Sequence, residues 1–143
     1  MTPHLQDLGA GRRGDRGAAA VEFALVMPLL FLLIFGIIDF GRMWNMQIAL
    51  TQGAREGVRV LALGGSIADA TGRTQAAAFP VTGISVSTPL VCPSGSTGDN
   101  DAEVLATRTY DYITPISGIL GLLGQPALAT PTITGRGRMR CSG

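Results

Sequence analysis

The sequence predicts an α+β protein in which a long N-terminal helix, transmembrane and then amphipathic, is followed by a small antiparallel β-sheet domain. Three observations carry this reading. Residues Phe23 to Ile38 form a run without a single charge. Beyond it, Met43, Met46, Leu50, Ala54, Gly57 and Leu61 recur at steps of three and four, the period of one helix face. Near the C-terminus, Ala102–Tyr112 and Thr132–Cys141 alternate with the period of two expected of strands with one buried face.

The apolar run comes first. From Ala18 to Ile38 the only charge is Glu22. At about 1.5 Å per residue this stretch reaches about 30 Å, the thickness of a bilayer's hydrocarbon core. A helix buried in a soluble core is seldom apolar on every face, so a membrane span is expected at 18–38. Arg12, Arg13 and Arg16 precede the span, whereas Asp39 and Arg42 offset each other after it. The positive-inside rule therefore puts residues 1–17 in the cytoplasm and the remainder outside, a single-pass topology. A cleaved secretory signal would need small residues after the apolar core. Asp39-Phe40-Gly41-Arg42-Met43-Trp44 stands there instead, and the small residues Gly17-Ala18-Ala19-Ala20 precede the core. Glu22 either snorkels to the interface or pairs with a cation in the membrane. Pro28 removes one backbone hydrogen bond and should bend the helix near Ala24.

The helix is expected to continue through 39–63, with Gly64-Gly65 as its stop. Arg42, Asn45, Gln52, Arg55 and Arg59 lie opposite the Met/Leu stripe, which is read as the core face for residues 64–143; a packing face for a second subunit is the alternative. Gly53 and Gly57 have the spacing of a close helix contact. Ser66–Phe79 is expected to be a short helix ended by Pro80, Val81–Ser87 a strand, and Pro93–Asp101 a polar loop. On the last strand, Arg136, Arg138 and Arg140 share one face, read as a solvated surface that also protects an edge from unwanted pairing. The apolar segment 113–129, broken by Pro115 and Pro126, is too short to span and is either a flap over the sheet or an exposed docking patch.

Composition excludes several function classes. The 143 residues carry a net charge of +1, with a pI of about 7.8, so no nucleic-acid footprint is implied. The only histidine, His4, lies in the N-terminal tail, which leaves no His-based triad or zinc site in the domain. Gly64-Gly65 lacks the Lys and the spacing of a phosphate loop. The Asp99-Asn100-Asp101 tip lacks the full calcium-loop pattern. No catalytic residue, metal or cofactor is expected, and the chain reads as a non-enzymatic protein. Cys92 and Cys141 are the only cysteines. In an oxidising compartment they are candidates for one disulfide closing a loop of about 50 residues, worth about 4 kcal/mol; two free buried thiols are the alternative.

A resemblance sharpens these expectations. Arg16-Gly17-Ala18-Ala19-Ala20-Val21-Glu22-Phe23 resembles the processing site of type IV pilin-class proteins. The longer string Gly17–Val26 with Pro28, then Gly36, Gly41-Arg42, Ala54-Arg55-Glu56-Gly57-Val58-Arg59 and a chain end reading Met139-Arg140-Cys141, resembles the TadE-like family, pseudopilins of the Tad (Flp pilus) secretion machinery. That resemblance implies a pilin-like fold and cleavage by a prepilin peptidase between Gly17 and Ala18. Glu22 would then be the fifth mature residue and Phe23 the sixth. It also implies a role for Glu22 in subunit pairing, since the new Ala18 amine would stand one helical turn away. The implied location is the inner (cytoplasmic) membrane. The implied partners are the lipid bilayer, the peptidase, other pilin-like subunits and the Tad assembly platform. The competing reading is an unprocessed, membrane-tethered extracellular binding module.

Overall fold

The structure, a computed structural model, describes residues 12–95 and 97–142. Residues 1–11 of the expected leader, with His4, lie outside the described residues, as does Ser96 of the expected polar loop. The elements follow in the order α1 (Arg12–Ala62), α2 (Ile67–Ala77), β1 (Ser85–Leu90), β2 (Thr97–Thr109), α3 (Ile116–Leu122) and β3 (Thr132–Ser142). The fold is thus a long apolar helix followed by a small antiparallel three-stranded sheet, an α+β arrangement.

Helix α1 is unbroken through Gly17 and Pro28 and measures about 75 Å. It ends where a left-handed residue is required. Gly64 has φ +81°, its N–H donates to Leu61 O, and the Gly65 N–H donates to Val60 O. These two bonds satisfy carbonyls the helix would otherwise leave open. Helix α2 starts at Ser66, whose Oγ accepts from the Asp69 N–H and donates to the Asp69 carboxylate.

The C-terminal half of α1 supplies the core. Leu50, Ala54, Val58 and Leu61 are buried, Met43 and Met46 pack partly against them, and Arg42, Asn45, Gln52, Arg55 and Arg59 are exposed. The stripe therefore buries within its own chain. Gly53 and Gly57 face α2: added Cβ atoms would meet Thr74 and Ala78 at the first position and the Thr74 side chain at the second. The glycine pair is the contact that lets α2 lie close on α1.

The sheet has the order β1-β2-β3, all antiparallel. Ala102, Val104, Ala106 and Tyr110 on β2 and just after it, with Ile133, Gly135, Gly137 and Cys141 on β3, form the face turned to α1. A Cβ at Gly135 would overlap the backbone of Leu50 and Thr51, and one at Gly137 that of Ala54 and Arg55. The alternating glycines of β3 thus bring the helix backbone directly onto the strand. Met139 departs from the expected pattern and remains exposed on this edge strand. On the outer face, Arg136 pairs with the buried carboxylate of Glu103, and Arg138 with Asp101 at 2.8 Å.

Two local expectations differ from the structure. Strand β1 begins at Ser85 rather than Val81, because Gly83 takes a left-handed φ of +67° and the carbonyls of Thr82 and Gly83 accept from the Arg108 guanidinium. The expected loop 93–101 is strand from Thr97, since Thr97 pairs with Ser142 and Asp101 with Arg140 across an irregular stretch. Long-range pairing there overrides local turn chemistry. The segment 113–129, open in the sequence between a flap and a docking patch, contains α3, which packs against α1.

Candidate membrane and assembly site

Two features of α1 define the candidate site: a fully outward-facing apolar half and the point at which its polar half begins. In the first, Phe23, Leu25, Leu29, Leu33 and Ile37 are all more than half exposed, and the most apolar 18-residue window has mean hydropathy 2.6 with no residue buried. An apolar face this extensive and continuous has no partner among the described residues, and its length matches a bilayer. Gly17, Ala18, Glu22 and Phe23 sit together at its N-terminal end, all exposed on one uninterrupted helix. Ala18 and Glu22, four positions apart, share a helix face. A Cβ at Gly17 would meet nothing within 4 Å, so the smallness of this residue is not a packing demand of the fold.

The polar half begins at Asp39, directly after Ile38. Asp39 is only 3% exposed. Its carboxylate accepts from the hydroxyls of Tyr110 (2.9 Å) and Thr114 and from the Ile113 N–H (3.4 Å). Burial pushes the Asp39 carboxyl upward. The bonds from Thr114, Tyr110 and Ile113, together with the Arg42 guanidinium, outweigh burial and hold it below the ordinary carboxylate value. Burial and the bond to Asp39 raise the Tyr110 phenol. Tyr110 also packs edge-on against Tyr112, with ring centroids 5.5 Å apart. This cluster ties the end of the apolar run to the end of β2. In the sequence Asp39 is legible only as a flanking charge; its position beside an otherwise neutral apolar run is the available signal for a satisfied acid.

At the other end of the domain, Cys92 and Cys141 are joined by a disulfide across 49 residues, with Cα atoms 5.7 Å apart. The bridge fastens the segment after β1 to the end of β3, where the Ser142 hydroxyl donates to Ala62 O. The predicted processing residues and the two cysteines therefore lie at opposite ends of the molecule. Among the described residues, no cluster of three or more His, Cys, Asp or Glu has the arrangement of a metal site.

These features define a class: a protein with, among the described residues, one N-terminal helix long and apolar enough for single-pass membrane anchoring, continuous with a small disulfide-linked α+β domain. Residues 17–59 match the family model described as TadE-like protein, the family that the same stretch resembles in sequence. The match covers the anchor and the core-forming part of α1, and α2 and the sheet lie beyond it. Comparisons with curated proteins and with solved structures find no match.

Proposed function

We propose that this chain is a membrane-anchored pseudopilin, a minor pilin-like subunit of a Tad (Flp) pilus assembly or secretion system, matured by a prepilin peptidase. In this reading residues 1–17 are a cytoplasmic leader, 18–38 span the inner membrane, 39–63 continue the helix outside, and 64–143 form the exported domain. The peptidase cuts between Gly17 and Ala18. The mature helix then packs laterally against other pilin-like subunits on the assembly platform, where Glu22 meets the Ala18 amine of its own or an adjacent chain and lowers the cost of placing that charge in the bundle. The supporting observation is the start of the TadE-like match at Gly17, the residue before the cut.

The Gly17→Ala variant tests the reading. No neighbour obstructs the added methyl, so its effect reports recognition rather than folding. Mass spectrometry of the membrane-extracted protein should find the wild type starting at Ala18 and the variant with its leader retained. A normally shortened variant contradicts the processing site, and a wild type with Met1 intact favours a tethered binding module. Glu22→Leu should leave cleavage largely unchanged while reducing assembly; unaltered pilus formation removes the pairing role.

A further inference from the structure

We propose that the connector between β2 and β3, centred on α3, lies in the outer interface of the bilayer beside the exit of the anchor helix. The inference rests on single-pass anchoring and is independent of leader cleavage. Strand β3 runs along α1 in the same direction. Gln47 Nε2 donates to Thr134 O, Gly135 lies against Leu50, Gly137 against Ala54, and the Ser142 hydroxyl donates to Ala62 O. The start of β3 and the end of β2 are therefore at the membrane end of the sheet, closed by the bond from the Tyr110 N–H to Pro131 O. The connector leaves from that end, and Tyr110, Ile113 and Thr114 pin it to Asp39, one residue past the apolar run.

Its chemistry suits that location. Tyr112 to Gly135 carries no charged residue. Leu122 is 88% exposed, and Ile113 and Leu123 are each more than half exposed. On α1, Phe40 and Trp44 are exposed about 3 and 9 Å past Ile38, at the level where aromatic side chains favour a membrane interface. Helix α3 has seven residues, far too few to span, and Ser117, Thr130 and Gln125 give the connector the mixed polarity of the headgroup boundary. The connector is pinned at Asp39, directly after the last apolar residue of the anchor, so the lipid that surrounds the anchor is the occupant within its reach. The domain would then be held at a fixed height and tilt, with Asp39 sealed from the hydrocarbon by its own hydrogen bonds.

Depth-dependent fluorescence quenching tests this in the full chain reconstituted into phosphatidylcholine vesicles with and without acyl-chain-brominated lipid. The background is Trp44→Phe, with one tryptophan at a time at Leu122, Phe31 or Ser94. Phe31→Trp reports the anchor itself and Ser94→Trp the distal end of the domain. The expected result is blue-shifted, bromine-quenched emission for Phe31→Trp and Leu122→Trp and unquenched emission for Ser94→Trp. Quenching at Phe31→Trp with water-like, unquenched emission at Leu122→Trp overturns the inference while leaving the anchor intact. A blue shift at Leu122→Trp that depends on protein density and not on bromine overturns it in favour of a second copy of the chain. Absence of quenching at Phe31→Trp overturns the anchoring on which it rests.

Discussion

Replacing Gly135 with alanine tests the helix–sheet contact that holds the domain on its stalk. The added Cβ would overlap the carbonyl group of Leu50 and the amide of Thr51. Both belong to helix backbone whose side chains, Leu50 above all, are the centre of the core, so the obstacle cannot swing aside as a flexible side chain would. Overpacking costs about 1–3 kcal/mol, and the rigidity of this obstacle places Gly135→Ala at the upper end. The reduced freedom of alanine in the unfolded chain returns at most about 1 kcal/mol. The net expectation is a loss of about 2 kcal/mol, a large share of a stability that is typically about 5–15 kcal/mol. Gly72→Ala on the exposed side of α2, where a Cβ meets nothing, should instead stabilise by up to about 1 kcal/mol. Unfolding in micelles, followed by near-ultraviolet circular dichroism of the Tyr110–Tyr112 pair, reads both variants. A Gly135→Ala protein within about 0.5 kcal/mol of the wild type would refute the argument, because surface substitutions alone stay in that range.

Three further predictions concern the ends of the domain. Removing the disulfide by the Cys92→Ala/Cys141→Ala pair should lower stability by about 4 kcal/mol, from the 49-residue separation, measured by denaturant unfolding of oxidised and variant protein. Tyr110→Phe leaves the buried Asp39 carboxylate short of one donor and should cost about 1–3 kcal/mol. The pH dependence has a defined sign: the folded value for Asp39 is lowered, so its contribution is present above the unfolded value of about 3.9 and is lost as pH falls through the lower folded value. Asp39→Asn should flatten that acid limb in a pH titration of stability.

Much of the architecture was legible because it rests on periodicity. The uncharged run, the stripe from Met43 to Leu61 and the alternation of Ala102, Val104 and Ala106 each report a buried or lipid-facing surface with a fixed repeat. Gly64 marked the end of α1 through the backbone conformation it supplies. What escaped was set by distance along the chain. Asp39 finds its donors more than 70 residues away. Thr97–Asp101 becomes strand only because β3 extends far enough to pair with it. The sequence leaves 113–129 open between a flap and a patch; the direction of β3 along α1 puts it at the end of the domain next to the apolar run. At the candidate site, Gly17, Ala18, Glu22 and Phe23 were visible as a motif, and the structure adds that they share one exposed helix.

The account turns on α1 remaining in the lipid as part of the mature protein. Alkaline-carbonate extraction of membranes, followed by intact-mass measurement of the chain in each fraction, tests this directly. The expected result is a chain beginning at Ala18 that stays in the membrane pellet. A water-soluble chain beginning beyond Ile38 would contradict it.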